Sequence, residues 1–252
     1  MASTSQLGII TVPVDGAWDI EDLRALAESL SETYGLFYPL VAQDDDVRKQ
    51  LQDLVRKQFW SGDIDTRHFG QWLYRAIPKE ESLKLKSFTY HSPGAMELSG
   101  VLVVLLLLSR VARSWIATGS AFIDLWAKVD KFFERRKSLR RPKKKFEVSD
   151  DLAEGSDEAR ALVLQAGHML GFDDASCEVL IGVAGNPISA LKYLVAAANE
   201  ARKLADLERE GLIKLPHRDQ PIALRGSETS KQRKRARPTP SEVRQGIRPR
   251  KS

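Results

Sequence analysis

One cysteine, four histidines and three methionines are all that this 252-residue sequence offers in soft or imidazole ligands. The lone Cys177 excludes an internal disulfide and a cysteine-based zinc site. The histidines (His68, His91, His168 and His217) lie far apart, with no His-x-x-x-His spacing, so no metal site is written locally. A nucleophilic thiol needs a nearby base or cation to lower its pKa. Cys177 has Glu178 beside it instead, which acts the wrong way and points to a buried structural residue. A phosphate-cradling loop of Walker or dinucleotide type is missing too. Gly182-Val183-Ala184-Gly185-Asn186 has two glycines, but no strand precedes it and no lysine follows at the required spacing. It reads as an interhelical turn. Paired carboxylates do not stand out from the charged surface. The expectation is a chain without cofactor, metal or small-molecule ligand, and a non-enzymatic one. An enzyme whose site gathers scattered residues such as Asp63, His91 and Glu97 is the weaker alternative.

Long apolar runs are also scarce. The single one, Val101–Leu108, is eight residues long, whereas a spanning helix needs about 20. Extending it to Ile123 places Arg110 and Arg113 near the middle. Two central arginines cost roughly 5–7 kcal/mol, and eight aliphatics return roughly 2.5–5. Burial within the protein is therefore favoured over insertion. A membrane-associated effector that exposes the 101–108 helix is the alternative. The first nineteen residues lack the basic start and apolar core of a signal peptide. With a single cysteine, the expected compartment is the cytoplasm, with peripheral membrane association as its variant.

The apolar run does not stop at Leu108. Val104, Leu108, Val111, Trp115, Thr118, Phe122, Leu125, Val129 and Phe132 alternate by three and four. That is one helical stripe over several turns, predicting a helix from about residue 100 to 137, on the order of 55 Å long. Val104, Leu108, Val111, Trp115 and Phe122 are the expected self-association residues, and a homo-oligomer is the expected assembly. Upstream, Leu7–Val14 reads as a short strand whose Pro13 is tolerable on an edge, and Asp19 as the N-cap of a helix carrying Ile20, Leu23, Ala27, Leu30, Tyr34, Phe37 and Val41, with Gly35 and Pro39 as weak points that loosen or kink its end. Asp44-Asp45-Asp46 opens a second helix, and a third runs from Thr66 to about Ile77, where Pro78 stops it. Leu83–Tyr90 and Ala95–Leu98 form a β-hairpin through a type II turn at Ser92-Pro93-Gly94. In the hairpin's first strand Leu83, Leu85, Ser87 and Thr89 share a face.

The fold class expected is α+β and mostly helical. A small antiparallel sheet of the N-terminal strand and the hairpin is packed by helices, one of them long and apolar. Residues 1–146 form this domain, 147–157 an acidic linker, and 158–214 a helical unit in which Asn186-Pro187 starts the last helix. From 215 to 252 the composition predicts a disordered basic tail.

The net charge of +5 hides an asymmetry. Lys131–Lys145 and Arg225–Ser252 each carry +8, which leaves −11 for the rest. Two basic segments on an acidic body suit an anionic partner. The expected contacts are Arg140, Arg141, Lys143, Lys144, Lys145, Lys231, Arg233, Lys234, Arg235 and Arg237. Nucleic acid is one such partner, met through its phosphates. An anionic membrane surface is another.

Overall fold

The computed structural model describes residues 6–60, 68–89, 94–139, 156–215 and 223–224. In chain order the elements are β1 (Leu7–Val14), α1 (Ile20–Phe37) with a 3-10 turn at Tyr38–Leu40, α2 (Asp45–Trp60) and α3 (Phe69–Arg75). The hairpin β2 (Lys84–Thr89) and β3 (Gly94–Val101) leads to α4 (Leu102–Leu139). Then come α5 (Ser156–Met169), α6 (Asp174–Ala184), α7 (Pro187–Arg209) and the two-residue β4 (Ala223–Leu224). The expected mostly helical α+β architecture is present. The acidic linker lies outside the described residues apart from its last two positions, and so does the basic tail apart from Leu215 and β4.

Helix starts follow local chemistry. The Asp19 carboxylate accepts from the Glu21 and Asp22 amides at 2.8 and 2.9 Å, and Asp22 reaches back to the Asp19 amide. This reciprocal cap satisfies amides that the first helical turn leaves unpaired. Asp173 and Asn186 cap α6 and α7 in the same way, each accepting one amide at 2.8 Å. Pro187 occupies the first turn of α7, where it has no amide to waste. Gly185, at φ +86°, ends α6 and lets the chain turn 108° into α7.

The sheet order is β2-β3-β1-β4, with neighbouring strands antiparallel. β1 pairs with β3 along its whole length, from Leu7 opposite Val101 to Val14 opposite Gly94. That pairing draws β3 out to Val101, three residues beyond the Ala95–Leu98 expected, so α4 starts at Leu102 with no connecting residue. Ile10, Val12 and Val14 of β1 and Met96 and Leu98 of β3 face the core. β2 departs from expectation. Its register shifts between Leu85 and Ser87, and Leu85 is 59% exposed. It is an edge strand held mainly by β3, with Phe88 meeting Trp18 edge to face. The third helix is also shorter than expected. It begins at Phe69, after His68 has turned into the left-handed region at φ +59°.

At the centre lies α7, whose residues 188–198 are buried without interruption. A helix apolar all round is a core helix, and α1, α2, α4, α5 and α6 all pack on it. One hydrophobic cluster runs from Ile10 to Leu215. The closest helix crossing is α1 on α3: a Cβ on Gly35 would stand 2.1 Å from the Gly70 carbonyl oxygen, and one on Gly70 2.5 Å from that of Glu32. Only two glycines allow backbones so near. Tyr34 joins this layer to the sheet. Its hydroxyl accepts from the Val101 amide at 2.7 Å and donates to the Glu81 carbonyl at 2.6 Å.

Candidate functional site

The long helix has two faces with different surroundings. Toward the core it presents Val104, Leu108, Val111 and Phe122, each 0% exposed, with Trp115 half-buried against Phe122. These five were the expected self-association residues. Within one chain they meet β1, β3, α1, α5 and α7, so four of the five belong to the core of a single molecule and only Trp115 keeps part of its surface open. The periodicity that marked the stripe reports burial and does not say by what.

The opposite face is open. Val103 is 48% exposed, Leu106 38%, Ile116 36% and Ile123 69%. Arg110, Ala117, Ala121, Asp124, Lys128 and Lys131 share this outward side. Residues 102–119 are apolar and long enough to cross a membrane by length and composition alone, with a mean hydropathy of 1.5. Only 33% of that window is buried in the fold.

Hydrogen bonds fix α4 in place. Ser114 donates to the Met169 carbonyl at 2.5 Å, capping the C-terminus of α5, and Thr118 adds a longer contact at 3.5 Å. Arg113 donates to the Leu215 carbonyl at 2.6 Å, while the Glu208 carboxylate accepts the Leu215 amide at 3.3 Å. Arg113 and Glu208 thus hold the strand-like exit of the chain beside β1, where Lys214 donates to the Pro13 carbonyl at 2.9 Å. Farther along, α4 and α5 flank an open cleft of about 430 Å³ lined by Lys128, Lys131, Glu134, Arg135, Glu158 and Leu162. Arg135 and Glu158 form an ion pair across it.

A second cluster was invisible in the sequence. Where α1, α3 and α7 meet, Glu32 and Glu200 are 6% and 7% exposed. The two acids face each other closely enough that the Glu32 carboxyl acts on the titration of Glu200. Lys203 donates to both oxygens of Glu200 at 2.7 and 3.0 Å. The left-handed turn at His68 brings its Nδ1 to 3.7 Å from Glu32. Burial first, and the neighbouring Glu32 carboxyl as well, raise the Glu200 pKa to about 7 against the pull of Lys203. Among the described residues, no group of three or more His, Cys, Asp or Glu is placed to hold a metal ion.

Other candidates read from the sequence are scattered. Cys177 is buried, its Sγ against Gly167, and burial followed by the charges of Asp174, Asp173 and Glu178 pushes its pKa up to about 11. His168 lies on the surface, 2.6 Å from Asp174. Glu97 accepts from Ser87 across the hairpin at 2.9 Å, while Asp63 and His91 fall outside the described residues. So do all ten expected anion-contact residues, Arg140, Arg141, Lys143, Lys144, Lys145, Lys231, Arg233, Lys234, Arg235 and Arg237. No family model, no curated protein and no solved structure matches this chain.

Proposed function

We infer that this chain is a non-enzymatic, cytoplasmic assembly protein that associates with itself through the outward face of α4 and meets an anionic partner through its basic segments. One observation carries the reading: Val103, Leu106, Ile116 and Ile123 stand in solvent along about 30 Å of a helix whose other face is already satisfied. Val103 and Leu106 lie toward one flank of the exposed arc and Ile116 and Ile123 toward the other, and apolar side chains left in water on a rigid element favour a partner, at about 25 cal/mol for each Å² covered. The C-terminal half of the same helix adds Lys128, Lys131 and Arg135, all exposed, so the positive charge of 131–145 begins on an ordered scaffold.

Sedimentation of the full chain at micromolar concentration tests the assembly. The expected result is a dimer or larger species that Ile116→Glu with Ile123→Glu reduces to monomer. A wild-type chain that stays monomeric sinks the reading. For the anionic partner, filter binding of duplex DNA compares the full chain with one ending at Leu215. Loss of binding on truncation, and affinity that falls steeply with salt, support the tail as the contact. Equal binding by the two chains rejects it.

A second reading draws on the apolarity of residues 102–119 and on how little of that window the fold buries. In it the same face lies on an anionic bilayer, with the adjoining lysines and arginines at the headgroups. Flotation with vesicles containing phosphatidylserine tests it, and a chain that stays at the bottom of the gradient at low salt rejects it.

A further inference from the structure

Five exposed residues of α4 are spaced symmetrically about Ala117. Arg110 lies seven residues before it and Asp124 seven after; Leu106 lies eleven before and Lys128 eleven after. Seven and eleven residues are close to two and three helical turns, so these five positions project on one side of the helix, and all five are exposed. Arg110 rests its aliphatic stem beside Gly171, and neither Arg110 nor Asp124 makes an ion pair within 4 Å among the described residues.

Two such helices can meet side by side in two directions. A parallel, in-register pair sets Arg110 against Arg110 and Asp124 against Asp124. It also lays the two +8 segments that begin at Lys131 next to each other. An antiparallel pair centred on Ala117 changes every one of these contacts. Each Arg110 meets the other copy's Asp124, and each Leu106 lies under the stem of the other copy's Lys128. The two basic ends then stand about 40 Å apart, several screening lengths in physiological salt. The small side chain at Ala117 lets the axes approach to the lower end of the usual 8–10 Å.

We propose that two copies of this chain pack α4 against α4 antiparallel, about a two-fold axis at Ala117, with Arg110 of each paired to Asp124 of the other. Such an interface is isologous and closes at two subunits. It rests on the self-association reading and adds its direction and register.

A charge exchange in the full chain, read by sedimentation equilibrium, tests it. Arg110→Asp alone sets two carboxylates opposite Asp124, and Asp124→Arg alone sets two guanidiniums opposite Arg110. Each single change is expected to weaken the dimer about tenfold or more, because two attractions become two repulsions. Arg110→Asp combined with Asp124→Arg restores the pairing and returns the dissociation constant to within a few-fold of wild type. All three variants change exposed positions, so an unchanged circular dichroism spectrum confirms that loss of the dimer is not loss of fold. As a second readout, Ala117→Cys in a Cys177→Ser background is expected to give a disulfide-linked dimer on mild oxidation, whereas Lys131→Cys is not.

A wild-type dimer that the exchange fails to restore, and that Ala117→Cys fails to link, overturns the register while self-association stands. A wild-type chain that remains monomeric overturns both. A monomer that floats with phosphatidylserine vesicles and loses that ability with Leu106→Glu assigns the face to a bilayer and rejects the dimer.

Discussion

Replacing Glu200 by glutamine isolates the energetics of the buried carboxyl pair. In the folded chain Glu200 titrates at about 7, and its ordinary value is 4.5. A carboxyl that holds its proton more tightly when folded stabilises the fold at low pH. That stabilisation is complete below 4.5 and is lost as pH rises through 7. Linkage at about 1.4 kcal/mol per pH unit puts the loss between pH 5 and pH 8 at about 2–3 kcal/mol. The groups facing Glu200 are Glu32, His68, Lys203 and, beyond them, Glu28 with its partner Arg24. Glu200→Gln keeps the size and polarity of the side chain but cannot ionise. It gives up the contact with Lys203, itself half exposed and worth at most about 0.5 kcal/mol. Urea unfolding of both chains at pH 5, 6, 7 and 8 measures the difference directly. The variant is expected to match or fall slightly below wild type at pH 5, and to exceed it by about 2 kcal/mol at pH 8. Other titrating groups cancel in the comparison. A stability difference that stays constant over this range, or that grows in the opposite direction, refutes a Glu200 carboxyl held protonated by its burial at this crossing.

Two further outcomes follow from packing. Gly35→Ala or Gly70→Ala drives a methyl group into a backbone carbonyl across the α1–α3 crossing; each is expected to cost about 1–3 kcal/mol or more, visible as a lower Tm. An unchanged Tm means that the two helices are not this close. The Cys177 thiol, buried and with its pKa at about 11, is expected to react with a disulfide reagent at neutral pH only after urea exposes it. Rapid labelling of the native protein contradicts that burial.

Features decided by neighbours in sequence were legible in advance. The caps at Asp19 and Asn186, the proline at 187 and the three-four stripe on α4 each act within a few residues, and the structure carries them out. The two paired strands of the hairpin are present as well, but the facing of its edge strand was not legible, because the side on which Leu85 points depends on a register shift set by pairing with β3. What escaped is what tertiary crossings create. Glu32 and Glu200 are 168 positions apart in the chain, each one acid among several charged residues of its helix, and only the α1–α7 packing makes them one site. Gly35 looked like a weak point in a helix, although its missing side chain is what admits α3. The α4 stripe showed which face is buried, but not that the partner is α7 of the same molecule. The complementary face, on which the self-association reading now stands, was visible in the same periodicity as the residues the stripe left out.

The placement of α7 and of the sheet's outer edge also governs how the protein is made. β1 is translated before both of its partners: on one side it pairs with residues 94–101 and on the other with Ile213 and β4. The helix that fills the centre is translated only after residue 186. At about 5–20 residues per second, the apolar faces of α1 and α4 wait on the order of ten seconds for the element that covers them. During that interval the nascent chain displays both sides of the Val101–Leu108 run at once. The sequence order of this fold therefore makes it a natural client for a holding chaperone, and an early stop before α7 a route to aggregation.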